Sequence, residues 1–278
     1  MSMVIKSNLS GLNANRQLGL NNAQMGKALE RIATGWKINS AADDASGLAI
    51  SEKLLAQLRG LSTASSNAQD SISLVQTAEG AMGSIHDMLG RMTELAGRAS
   101  NGTLSDQDRS MLQSEMDSLL SEIDRVAQST NFNGQKLLDG SIADGLQMQV
   151  GDTADSQNKV SVSIGNLGTT GLGISGFDIS TQDGALAALE KLRATDGAIN
   201  QVSSARGELG AVQNRLEHTI NNLDTTYENL MAANSRIRDA DIAKEMMAFT
   251  QTQVLRSVST AMLAHSNMQA QGVLQLLR

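Results

Sequence analysis

The chain has no proline in 278 residues, and long amphipathic segments at its two ends enclose a short glycine-rich middle. Nothing removes an N–H donor or forces a ring against the preceding turn, so helical periodicity can persist through many turns. Only five aromatic residues are present, Trp36, Tyr227, Phe132, Phe177 and Phe249, so bulky rings cannot dominate a core. The apolar share, 40%, is carried by Ala, Leu, Ile, Val and Met. The predicted class is mainly α: a long antiparallel helical coiled-coil bundle formed by the N- and C-terminal regions, with a small β-hairpin region in the middle.

That apolar share excludes general disorder. The length suffices for one or two domains. A formal charge of -7 and a pI near 5.0, with 22 scattered basic residues, argue against a nucleic-acid partner, whose phosphates require clustered Lys and Arg. The absence of cysteine removes disulfides, thiolate metal sites and cysteine nucleophiles together. No segment approaches the ~18 consecutive apolar residues that span a bilayer, so no membrane insertion is expected. Met1 to Asn8 lack the apolar run of roughly 7 to 15 residues of a cleavable signal peptide. Export is therefore expected to need a dedicated apparatus.

Leu18, Met25, Leu29, Ile32 and Trp36 recur at helical spacing, and Gly35 breaks the pattern. After Asn39-Ser40-Ala41-Ala42-Asp43-Asp44 a second helix is predicted to run to about Ser100. Its seam is Val75, Ala78, Met82, Ile85, Leu89, Met92, Ala96 and Ala99. Asn101-Gly102 ends that helix, and Ser105 with Asp108 marks the cap of a third carrying Leu112, Met116, Leu119, Ile123 and Val126. Asn133-Gly134 and Asp139-Gly140 are turn dipeptides. The stretches 146–150 and 160–164 alternate with period two and predict short hairpins. Helical period returns after Thr181, with a second seam at Leu216, Ile220, Leu223, Tyr227, Leu230 and Ile237 that could pair antiparallel with the first. Ser235 to Asp241 interrupts it, and Ile242, Met246, Phe249, Val258 and Met262 form a last stripe. The final residues, 273–278, are unusually apolar for a chain end and call for a cover.

Motifs that carry chemistry elsewhere are isolated here. Gly171 to Gly176 satisfies G-x-G-x-x-G but leads into the extended Phe177-Asp178-Ile179-Ser180, not a helix, so no cofactor is expected. Asp43-Asp44 has no nearby histidine, and helix capping accounts for it better than acid/base or metal chemistry. His86, His218 and His265 stand alone, without an H-E-x-x-H pair, and no G-x-S-x-G elbow occurs. No catalytic or metal-binding residue is assigned. Asn8-Leu9-Ser10 and Asn101-Gly102-Thr103 fit a glycosylation pattern that is common by chance.

Residues 31–50, Arg31-Ile32-Ala33-Thr34-Gly35-Trp36-Lys37-Ile38-Asn39-Ser40-Ala41-Ala42-Asp43-Asp44-Ala45-Ser46-Gly47-Leu48-Ala49-Ile50, together with Asn131-Phe132-Asn133-Gly134, Ser235-Arg236-Ile237-Arg238-Asp239-Ala240-Asp241 and Leu276-Leu277-Arg278, resemble bacterial flagellin, the protomer of the flagellar filament. The likeness spans roughly residues 1–140 and 183–278. The chain departs from it at Trp36, where many relatives carry an aliphatic residue, and in the absence of a proline from 267–271. It also lacks large outer domains. The resemblance implies inner terminal helices at 1–40 and 242–278 forming a filament core tube. It implies a surrounding coiled-coil layer at 41–140 and 183–241, and a short hairpin and loop region at 141–182 facing outward. It places the assembly interface at Val4, Ile5, Leu9, Leu29, Ile32, Ile242, Met246, Phe249, Met262, Leu274, Leu276 and Leu277. The inter-layer joint falls at Asp43, Asp44, Arg236, Arg238 and Asp239.

The implied function is that of a structural subunit, exported unfolded and self-assembling to support swimming, located in the extracellular flagellum. The implied partners are copies of the chain, the flagellar type III export apparatus with its chaperone, and filament cap and junction proteins. Vertebrate Toll-like receptor 5 is a further implied partner, with contacts at Leu89, Arg91, Glu94, Leu95 and Glu115. Arg91 and Leu95 lie four apart and would share a helix face. Gly90 and Thr93 depart from the family's usual Gln and Arg. The alternatives are a flagellar hook-filament junction protein, a coiled-coil adaptor or secreted effector, and an enzyme.

Overall fold

The computed structural model describes residues 8–276, excepting the side chains of 270 and 272–276. The elements run α1 (Leu9–Thr34), α2 (Ala45–Ala99), α3 (Asp106–Ser129), β1 (Asn131–Phe132), β2 (Gln135–Lys136), β3 (Leu146–Gln149), β4 (Lys159–Val162), α4 (Gln182–Arg193), α5 (Ala198–Arg238) and α6 (Ile242–Leu276). The protein is mostly helical, with its described strands confined to two antiparallel pairs. Two compact units are present, residues 1–56 with 229–278, and residues 57–228. Both draw on α2 and α5.

In the 57–228 unit the predicted α2 seam from Val75 to Ala99 is wholly buried. Met116 and Ile123 of α3, Leu192 of α4 and Val202, Leu209 and Leu216 of α5 complete one core with it. The start of α3 is set by the predicted capping box. Ser105 Oγ accepts from the Asp108 N–H at 3.3 Å, and the Asp108 carboxylate accepts from the Ser105 N–H at 3.2 Å. Buried Arg109 donates to the carbonyls of Ala99 at 3.0 Å and Asn101 at 3.1 Å, satisfying acceptors that the end of α2 leaves open.

Asn133 (φ 51°) and Gly134 (φ 81°) both adopt left-handed backbone, as a two-residue hairpin loop between β1 and β2 requires. In the second hairpin Leu146 faces Val162 and Gln149 faces Lys159. Met148, Val160 and Val162 turn inward, and the residues between them do not.

Residues 141–182 contribute to the helical core, since Leu172, Ile174, Phe177 and Ile179 sit in the same core as the helical seam. Side chains of α3 hold the loop. Asp124 accepts from the N–H and hydroxyl of Thr169, each at 2.8 Å, while Gln113 accepts from the Ile179 N–H at 2.6 Å and donates to the Phe177 carbonyl at 2.9 Å. A two-stranded hairpin cannot bury its own apolar face, so it completes the helical core instead. The second seam runs antiparallel to α2 as expected, but offset from the first. Ser65 Oγ donates to Asp224 at 3.4 Å and Arg206 reaches Glu79 at 3.5 Å, so the antiparallel register sets Leu216 and Leu223 against the earlier part of α2, where Leu58, Leu61, Ala64 and Ala68 are buried. The later part of α2 shares its core with α3, α4, the second hairpin and the first half of α5.

Since Ile174 in the loop and Leu95 in α2 share one core, Ile174→Ala and Leu95→Ala are each expected to cost about 2–5 kcal/mol in urea unfolding. A loss for Ile174→Ala within the roughly 0.5 kcal/mol typical of surface sites would detach the loop from the core.

Candidate functional site

In the unit formed by residues 1–56 and 229–278, α1 and α6 pack antiparallel along a seam of small and polar residues. The residues buried on α1 are Gly11, Asn21 and Ala28. On α6 they are Thr252, Ser259 and Ser266, spaced by seven. Each buried polar group is satisfied. Asn21 Nδ2 donates to Ser259 Oγ at 3.1 Å, and that hydroxyl donates in turn to the Leu255 carbonyl at 2.8 Å. Asn8 caps α1 by accepting from the Gly11 N–H at 2.9 Å; its amide donates to the Ser266 carbonyl at 3.2 Å and its oxygen accepts from the Ser266 hydroxyl at 2.9 Å. Near the other end Arg31 meets Glu245 at 3.3 Å. These contacts fix register, but they exclude most large apolar side chains from the seam.

The large apolar side chains therefore point outward. Leu9 is 65% exposed and Met247 66%; Leu12, Leu20, Leu29, Ile242, Met246, Val254, Val258, Met262 and Met268 are exposed as well. Of the predicted interface, Leu9, Leu29, Ile242, Met246 and Met262 lie on this outer surface, while Ile32 and Phe249 are half-buried. Val4, Ile5 and Leu277 lie outside the described residues, as do the side chains of Leu274 and Leu276. The predicted α1 stripe splits, with Leu18, Met25 and Ile32 half-buried at seven-residue spacing and Leu29 exposed. The polar seam went unpredicted, although the Thr252, Ser259, Ser266 spacing was visible.

The same unit contains the segments predicted as a joint, and they pair directly. Gly35, in left-handed backbone (φ 74°), ends α1. The Lys37 N–H then donates to the Arg238 carbonyl at 2.6 Å and the Ala240 N–H to the Gly35 carbonyl at 2.9 Å. Arg238 lies 4.0 Å from the Trp36 ring centroid, a cation–π contact, and donates to Glu52 at 3.3 Å. Ser51 and Asn234, both buried, share a hydrogen bond of 2.8 Å.

The two aspartates have separate tasks. Asp44 caps α2 by accepting from the Gly47 N–H at 2.9 Å. Asp43 closes the turn by accepting from the N–H groups of Asn39 and Ser40 and from the Ser40 hydroxyl, with Lys27 at 3.5 Å. The hydrogen bonds from Ser40, first its backbone N–H, hold the Asp43 carboxyl below its usual pKa. Asp239 accepts from the Ser235 hydroxyl, and Arg236 is exposed.

The structure divides the predicted receptor segment. Arg91 Nε meets Glu115 at 2.8 Å and Arg91 Nη1 meets Glu94 at 2.8 Å, making an exposed charged cluster across α2 and α3. Leu89 and Leu95 are fully buried in the core, so the pairing of Arg91 with an exposed Leu95 is not presented. Four residues span just over one helical turn, and here that angle carries Leu95 into the seam. Among the described residues no cluster of three or more His, Asp or Glu is placed to hold a metal, and no helix is long and apolar enough to cross a membrane.

The bacterial flagellin N-terminal helical region matches residues 5–143, and the bacterial flagellin C-terminal helical region matches residues 192–277. The chain is 49% identical to a flagellin of Halalkalibacterium halodurans over 276 residues, covering 99% of this chain and 100% of that protein. It is 45% identical to a flagellin of Bacillus subtilis over 311 residues, with the same shares covered. Among solved structures, Bacillus cereus flagellin shares 31% identity at a TM-score of 0.50, covering 61% of this chain and 94% of that one.

Trp36, the sole tryptophan, reports on this turn directly. Because the folded Asp43 takes up its proton less readily than the unfolded one, its contribution is full above the usual carboxylate pKa and is lost as pH falls through the lowered folded value. An acid titration of Trp36 fluorescence is expected to show this loss in the wild type. Asp43→Asn should be less stable at pH 7 and lack that component. An identical titration for both proteins would remove Asp43 from the turn's stability.

Proposed function

Since the chain belongs to the bacterial flagellin family, a family of structural rather than catalytic proteins that form the extracellular flagellar filament, we propose that it polymerises through the outward apolar faces of α1 and α6. The observation that carries this reading is the polar seam, which leaves both helices with large apolar side chains on their outer surfaces. On α6 large apolar side chains are spread around the exposed circumference and not gathered on the face that meets α1, so they call for a further cover. Neighbouring copies supply one. Contacts between different patches on successive subunits propagate into a helical filament and do not close into a ring. In that filament α1 and α6 line the centre, α2, α3 and α5 surround them, and residues 141–182 lie on the outer side.

The subunit passes through the flagellar type III apparatus as an unfolded chain held by a chaperone, and adds to the filament beneath its cap to support swimming. A polymer-dependent terminal unit suits this route, because it gains much of its order from neighbours. A hook-filament junction role is less well supported, since the relatives are flagellins along their whole length. On the free monomer, the Arg91, Glu94 and Glu115 cluster is the part of the predicted Toll-like receptor 5 surface available to a partner.

The assembly test is the double variant Met247→Glu with Val254→Glu. Both positions are exposed in the free subunit, so folding is expected to be intact while seeded polymerisation, followed by light scattering and electron microscopy, is abolished. Filament growth at the wild-type rate would overturn the proposed interface. For the receptor, Arg91→Ala is expected to weaken binding of monomer by about 1–2 kcal/mol in a titration, and unchanged binding would exclude the cluster.

A further inference from the structure

Among the described residues, half of the exposed large apolar side chains on α6 are methionines. Met246, Met247, Met262 and Met268 are between 44% and 66% exposed, beside Ile242, Val254, Leu255 and Val258. Met82, Met92 and Met116, by contrast, are fully enclosed in the core of the other unit. The chain holds no cysteine that could intercept an oxidant first, and one tryptophan and one tyrosine are its other readily oxidised groups. Among the described residues, four of the exposed methionines thus lie where the filament reading places subunit contacts, and Met111 and Met231 are exposed elsewhere.

We propose that Met246, Met247, Met262 and Met268 are sulfoxidation sites that make polymerisation of the free subunit sensitive to peroxide. The proposal rests on the assembly reading above. In the reaction the thioether sulfur attacks one peroxide oxygen; an S–O bond forms as the O–O bond breaks, and water leaves. Sulfur is oxidised by two electrons and the peroxide is reduced by two. The product replaces an apolar, adaptable side chain with a polar and chiral one. A sulfoxide oxygen on a surface that must become dry loses water and gains no donor, so addition of the subunit is disfavoured. A methionine sulfoxide reductase reverses the change, drawing two electrons from a dithiol and releasing water. Subunits already in a filament are shielded, so the modification falls on those not yet assembled.

The test treats purified monomer with dilute hydrogen peroxide, maps sulfoxides by peptide mass spectrometry and measures the critical concentration for seeded growth. The four α6 methionines are expected to oxidise before Met82, Met92 and Met116, and the critical concentration to rise about tenfold or more. Methionine sulfoxide reductases of both epimer specificities, with dithiothreitol, should restore growth. A variant with Met246→Leu, Met247→Leu, Met262→Leu and Met268→Leu should grow equally before and after peroxide. A variant with Met111→Leu and Met231→Leu, which removes exposed methionines away from α6, should stay sensitive. If leucine by itself slows growth, the reductase arm on the wild-type chain decides.

Fully sulfoxidised wild-type protein that grows like untreated protein would overturn the proposal and leave the assembly reading intact. Peroxide sensitivity retained by the fourfold variant would do the same. Untreated filaments whose α6 methionines oxidise as fast as those of the monomer would instead overturn the α6 interface itself, and this proposal with it.

Discussion

Two helices packed together share only one face, and in this protein that face is occupied by Gly11, Asn21 and Ala28 against Thr252, Ser259 and Ser266. The consequence is geometric. Once small and polar groups fill the seam, most of the large side chains on α1 and α6 are left exposed within the subunit, with Leu18, Met25, Ile32 and Phe249 half-buried. Buried polar contacts contribute little net stability but strongly discriminate between registers, because a slipped pair leaves donors and acceptors unmatched. A seam of leucines would bind more strongly and tolerate more arrangements. The polar seam therefore presents the outer surface in one defined form.

The turn between α1 and α2 meets the turn between α5 and α6 through backbone as well as side chains. Two N–H donors cross between the turns, from Lys37 to Arg238 and from Ala240 to Gly35. Trp36 stacks on Arg238 between them. Asp44 starts one helix while Asp43 closes the loop before it, so adjacent carboxylates divide the work of capping and turning. Among the described residues none of these groups belongs to a cluster that could hold a metal. Their arrangement serves the geometry of the terminal helices, as a structural subunit requires.

Legibility varied with how much of a segment's burial comes from apolar bulk. The seam from Val75 to Ala99 was readable because large side chains recur at heptad spacing and are all buried. The hairpins were readable from period-two alternation and from Asn133-Gly134. The seam between α1 and α6 was not, because pattern reading weights leucine and methionine over serine and asparagine, and here the heavier residues face outward. The resemblance and a spacing of four set Arg91 and Leu95 together on one face, when Leu95 belongs to the core.

The sequence by itself determined the helical class, the capping of α3, the Asn133-Gly134 turn, the strands of the second hairpin and the family, since each rests on neighbours within a few residues or on contiguous motifs. Tertiary structure alone decided which stretch of α2 faces α5, that the glycine-rich loop completes the helical core, and that Asn8 and Asn21 reach Ser266 and Ser259. The physical reason is the same in each case. Periodicity defines a face, whereas the partner of that face depends on register between segments hundreds of residues apart, and register is settled by which arrangement satisfies all the buried donors and acceptors at once.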